Sequence, residues 1–91
     1  MNDIPAIIGN ARVICYAVVN LLNNSNAEDN DRKLIAGFAI CQPEKEPGYY
    51  LFSCDANWKE FADTWHENID DAIDQAENEC NGISKLFQQA T

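Results

Sequence analysis

Two apolar runs constrain this chain more than any other feature. Residues 12 to 22, Arg-Val-Ile-Cys-Tyr-Ala-Val-Val-Asn-Leu-Leu, and residues 33 to 41, Lys-Leu-Ile-Ala-Gly-Phe-Ala-Ile-Cys, are rich in β-branched and aromatic residues and read as strands. Neither run has a polar face. In the first, Val13, Cys15, Ala17, Val19 and Leu21 alternate with Ile14, Tyr16, Val18, Asn20 and Leu22. In the second, Leu34, Ala36, Phe38 and Ile40 alternate with Ile35, Gly37, Ala39 and Cys41. A sheet with one wet face alternates apolar with polar, so both faces of this one need cover. Each large side chain left in water forgoes about 1.5–3 kcal/mol, and a whole domain is stable by only about 5–15 kcal/mol. One helix covers one face. For the other, a second copy of the chain is the economical expectation, a homodimer through the apolar sheet face, since symmetric dimers are the commonest oligomers. An N-terminal arm containing Ile4, Ala6, Ile7 and Ile8 and an apolar turn over 83–87 are expected to cover part of it.

The remaining elements follow from local signals. Asn23 to Arg32 is a polar loop, and Gln42 to Gly48, with Pro43 and Pro47, is a connector. Tyr49 to Asp55 reads as a third strand, and Gly37 suggests a bulge or a close backbone approach. Ile69, Ala72, Ile73, Ala76 and Cys80 mark one face of a helix, with Asn68 as its N-cap. Thr64 with Glu67 is a competing capping box that would start the helix four residues earlier. Asn81-Gly82 is a left-handed stop, after which Ile83, Leu86 and Phe87 pack back. The expectation is one α+β domain over residues 1–91. Its sheet is a three- or four-stranded antiparallel meander, with one C-terminal amphipathic helix packed on one face in the order β-β-β-α. Residues 4–8 fit either a short strand or a covering arm.

Charge narrows the partners. Fifteen acids face six Lys and Arg, a net −9, which disfavours direct binding to nucleic-acid phosphate or an anionic membrane. The charge is local: residues 60 to 79 hold eight acids and no Lys or Arg. Such a run is usually a solvated face. Its sharper reading is a docking surface for a basic protein, carried by Glu67, Asp70, Asp71, Asp74 and Glu77, with a nuclease toxin or a DNA-binding protein as examples of the partner. Met1 to Pro5 shows no basic leader, and the apolar stretch Val13 to Leu22 is too short to span a bilayer, so a cytoplasmic location is expected.

Chemistry-bearing residues are sparse. Cys15, Cys41, Cys54 and Cys80 form no close pair of the kind a zinc site uses, and they read as free thiols. His66 is the only His; a nucleophilic set of Cys54, His66 and Asp63 can be drawn, but the residues also suit plain structural roles. No catalytic residue, metal site or cofactor is assigned, and a thiol or metal-dependent enzyme is the least favoured of three readings. The second is a small-ligand binding protein whose aromatic cleft uses Trp58, Trp65, His66, Tyr49 and Tyr50. Packing alone also explains such aromatics. The first is an acidic protein-interaction module acting as a homodimer.

The segment Tyr50-Leu51-Phe52-x-Cys54-Asp55-x-x-Trp58, followed by Asp63-Thr64-Trp65-His66-x-x-Ile69-Asp70-x-Ala72-x-x-Gln75-Ala76-Glu77-x-Glu79-x-x-Gly82-Ile83, resembles short bacterial proteins carried on mobile gene cassettes of the integron type. The resemblance covers residues 50 to 83 and implies a family without a mechanism. A weaker likeness, in Asp63-Thr64 and Asp71-Ala72 and in the order of three strands then a helix, is to HicB-type antitoxins.

Overall fold

The computed structural model describes residues 3–19 and 35–90. The polar loop over 23–32 and the outer ends of the two apolar runs lie outside the described residues. The strands are β1 (Ile7–Ile8), β2 (Ala11–Val18), β3 (Gly37–Pro43), β4 (Tyr49–Cys54), β5 (Glu60–His66) and β6 (Gln88–Gln89). Helix α1 spans Ile69–Glu79, and a 3₁₀ turn spans Ile83–Leu86. The sheet is antiparallel in the order β1-β2-β3-β4-β5, with β6 pairing β2 beside β1. The α+β class and the single C-terminal helix are therefore as expected, but the sheet has more strands than three or four. The N-terminal segment supplies one extra strand, Glu60–His66 a second, and the short Gln88–Gln89 pairing a third.

The first extra strand ends in a two-residue hairpin turn. Gly9 and Asn10 both take positive φ, 58° and 65°, between the paired residues Ile8 and Ala11. Positive φ at both central positions is the turn whose twist matches its strands, and Gly and Asn are the residues that tolerate it. The second extra strand, β5, follows a loop organised by Asp55. Its Oδ1 accepts from the backbone N–H of Asn57 at 2.8 Å and of Lys59 at 3.0 Å. The backbone closes the same loop through Trp58 N–H to Asp55 O at 3.0 Å.

Both faces of the sheet are covered within one chain. On one face, Cys15, Ala17, Phe38, Ile40 and Leu51 pack with Ala72 and Ala76 of α1 and with Ile83 of the 3₁₀ turn. On the other, Val13, Ala39, Cys41, Phe52 and Cys54 pack with Ile8, Ala11 and Trp58, and Ile4 lies against them. The second face that called for another copy is thus filled by the arm and by Trp58, and not by the 83–87 turn, whose Ile83, Leu86 and Phe87 pack on the helix side. Strand β2 serves both faces through a bulge. Val13 stands opposite Cys41 while Cys15 stands opposite Ile40, so Ile14 is an extra residue and the alternation reverses there. The odd positions expected on one face are accordingly divided: Val13 faces the arm, and Cys15 and Ala17 face α1. The bulges lie at Ile14 and in β5 at Phe61, so the bulge alternative at Gly37 does not hold, and Gly37 opens β3.

Helix α1 starts where the Asn68 cap places it. Asn68 Oδ1 accepts from Asp71 N–H at 2.9 Å, which settles the start against the Thr64 alternative, since Thr64 lies within β5. The chain leaves the helix through Gly82 at φ 94°, and the Glu77 carboxylate accepts from Gly82 N–H at 2.7 Å and Ser84 N–H at 2.8 Å. These backbone bonds hold its pKa below the ordinary carboxylate range, with smaller help from the Ser84 side chain and Lys85. A carboxyl group whose folded pKa is depressed stabilises the fold above its unfolded pKa and loses that contribution as pH falls through the folded value. Glu77→Gln is therefore expected to lower the melting temperature at pH 7, and the gap from the parent should close in strong acid. A gap that stays constant across this range in thermal melts would contradict the capping role.

Candidate functional site

The five residues expected to line an aromatic cleft do not converge. Tyr49 and Tyr50 are neighbours on β4 and point to opposite faces: Tyr49 packs on the helix side and Tyr50 on the arm side. Trp58 is only 3% exposed and meets the Tyr16 ring edge-on at 5.7 Å. It is a core residue, driven inward at φ 63° by the tight β4–β5 loop. Trp65 stands opposite Tyr50 in the β4–β5 register and is 49% exposed. Its Nε1–H donates to Pro47 O at 3.1 Å, and its indole lies so close over Gly48 that any Cβ there would collide with the ring. Gly48 also sits at φ 89°, a conformation that favours glycine. Gly48→Ala should therefore destabilise by about 1–3 kcal/mol through combined strain and displacement of Trp65. Chemical denaturation checks this, and an unchanged midpoint would show that the indole is not held there. His66 Nε2 and Thr64 Oγ1 share a hydrogen bond of 2.6 Å.

The drawn set of Cys54, His66 and Asp63 is not assembled. Cys54 is paired with Glu60 at one end of β5, while His66 is paired with Tyr49 at the other. Five residues of strand separate these levels, about 17 Å. Asp63 stands opposite Phe52 on the arm face, whereas His66 stands opposite Tyr49 on the helix face. All four cysteines are free. Burial pushes the Cys15 thiol up to about 11, and burial with neighbouring acids pushes Cys54 up to about 12. Cys41 also rises to about 12, chiefly by burial. A thiol of that kind holds its proton at neutral pH and is a poor nucleophile. Among the described residues no three His, Cys, Asp or Glu side chains are grouped to hold a metal ion.

The acidic face divides in two. Glu67, Asp70, Asp71 and Asp74 are exposed, and among the described residues none has a basic partner. Glu77 is instead committed to the turn after the helix, and Glu79 accepts from Gln75 Nε2 at 2.8 Å. Of the expected docking residues, four are thus presented to solvent and one is structural. Asp70 and Asp71 suit the helix N-terminus, where a carboxylate contributes roughly 0.3–1 kcal/mol. Asp74 has no such role, and it lies four residues after Asp70, a like-charge spacing that costs a few tenths of a kcal/mol. The fold does not require an acid at that position.

A groove that the sequence reading missed lies on the arm face. It measures about 560 Å³ and runs between the Gly9–Asn10 turn and the first half of β5. Tyr50, Phe52 and Phe61 line it together with Glu46, Glu60 and Asp63. The Tyr50 hydroxyl donates to Glu46 Oε1 at 3.2 Å, which raises the phenol above its ordinary pKa. Of the five aromatic-cleft residues only Tyr50 belongs to this groove. The groove's other lining residues come from segments as far apart as Gly9 and Asp63, which no local motif links; the Gly-Asn turn that brings the arm across is the one local signal.

Among the described residues no helix is long and apolar enough to cross a membrane. Comparison with known protein families, with curated proteins and with solved structures finds no match to this chain.

Proposed function

We propose that this protein is an acidic protein-interaction module whose partner is a basic protein, bound at the start of α1. The observation that carries the reading is the set of four exposed carboxylates, Glu67, Asp70, Asp71 and Asp74, with no basic neighbour among the described residues. The Asn68 cap and the burial of Ala72 and Ala76 hold Asp70, Asp71 and Asp74 on a fixed helix, and Glu67 directly precedes the cap. A rigid patch of one charge sign raises encounter rates with an oppositely charged surface and rejects acidic competitors. This suits the resemblance of residues 50–83 to cassette-borne proteins, which itself implies no activity.

Self-association of this module need not use the sheet face, whose apolar residues are buried inside one chain. Among the described residues, the large apolar side chains left exposed for a homodimer are Ile7, Phe61 and Trp65.

The test begins with the purified complex of this chain and a co-purified partner. The dissociation constant is measured from low to high ionic strength. The proposal expects a partner of high isoelectric point and an affinity that falls by about tenfold or more as the Debye length shrinks from about 10 to 3 Å. Affinity insensitive to salt, or a partner that is itself acidic, would overturn it.

A further inference from the structure

The arm-face groove combines features absent from the acidic helix. Its floor is aromatic: the Tyr50 and Phe52 rings lie 5.9 Å apart with 21° between their planes. Phe61, 36% exposed, adds a third ring at its margin. Three carboxylates and no Lys or Arg contribute to its lining. Glu46 is engaged by the Tyr50 hydroxyl, a bond that leaves the phenol ring richer in electrons. Glu60 and Asp63 have no hydrogen bond or ion pair to another described side chain.

Charge decides what such a groove accepts. An anion would meet three negative groups. A neutral apolar molecule would cover the carboxylates without pairing them, which costs free energy. A cation with an apolar body satisfies both requirements, because an aromatic face attracts positive charge within about 6 Å of its centroid. We infer that the groove between the Gly9–Asn10 turn and β5 is a binding site for an organic cation, an ammonium or guanidinium group on an apolar stem, received by Tyr50 and Phe61 and balanced by Glu60 and Asp63. A partner's Arg or Lys side chain and a free amine share this chemistry. The site lies on the opposite face of the sheet from α1, so it stands or falls independently of the acidic helix.

The experiment is a titration of the full chain followed by amide NMR shifts, using three probes: N-acetyl-arginine methylamide, methylguanidinium and the neutral N-acetyl-citrulline methylamide. The two cations should bind saturably and shift Gly9, Tyr50 and Asp63, while citrulline binds about tenfold more weakly or not at all. A Glu60→Gln/Asp63→Asn double variant, two near-isosteric changes at a half-buried and an exposed position, should weaken the cations about tenfold with an unchanged melting temperature. Tyr50→Phe keeps the ring and should retain most of the affinity, whereas Tyr50→Leu should lose it. Asp70→Asn should leave cation binding as it was. Tighter binding of the arginine amide than of methylguanidinium assigns the groove to a peptide side chain, and the reverse order assigns it to a free cation. Equal binding of citrulline, shifts confined to α1, or full affinity in the double variant would overturn the assignment.

Discussion

Trp58→Ala is expected to lower stability by about 3–5 kcal/mol, the usual cost of emptying a buried aromatic position. The indole is the plug of the arm-side core, 3% exposed, against Tyr16 and the buried sheet residues Cys54 and Phe52. Against a total of about 5–15 kcal/mol, a loss of this size leaves a measurable unfolded fraction near physiological temperature. A second substitution isolates the backbone contribution. Trp58 holds φ at 63°, where a side chain is disfavoured by about 1–2 kcal/mol relative to glycine. Trp58→Gly should therefore be more stable than Trp58→Ala by about 1 kcal/mol, although glycine usually costs unfolded-state entropy. Urea denaturation of the two variants measures the difference. Near-parent stability of Trp58→Ala would mean that the arm, and not the indole, closes this face.

What could be read from the chain, and what could not, follows from how local each determinant is. Helix α1 was legible because Ile69, Ala72, Ile73 and Ala76 repeat at helical spacing, and because Asn68 and Gly82 mark its ends. Strand β5 was not, because its residues Glu60 to His66 hide their alternation. The bulge at Phe61 breaks the period, and an edge strand with most of its side chains in water has no apolar face to display. Charges and bulges of this kind are how exposed sheet edges resist pairing with other chains. The double apolar character of β2 was legible, but its cause was read differently: one bulge turns successive halves to different cores, and both cores close within the chain. The Gly9–Asn10 pair between apolar residues carried the hairpin signal that decides the arm's path. The groove was invisible because it joins the arm, a hairpin and β5 only in three dimensions.

Neutralising the start of α1 should have the largest effect on recognition. The triple variant Asp70→Asn/Asp71→Asn/Asp74→Asn removes three exposed carboxylates and leaves the Asn68 cap and the buried Ala72 and Ala76 intact. Loss of favourable dipole contacts at Asp70 and Asp71 is offset in part by relief of the Asp70–Asp74 repulsion, so stability should change by only about 1 kcal/mol. Association with a basic partner should slow by about 10- to 100-fold at low salt, because steering depends on the local patch.

Net charge alone would give the same slowing wherever the three acids are removed, so position must be separated from amount. The direct measurement compares association rates at low salt for the triple variant and for a control of equal net charge, Asp3→Asn/Glu44→Gln/Glu79→Gln, whose changes lie at other exposed positions. An interaction surface at the start of α1 predicts at least about a tenfold slower rate for the helix variant, with the control within about threefold of the parent. Equal slowing of both variants would contradict it, leaving the acidity of the chain as a general property with no localised docking site.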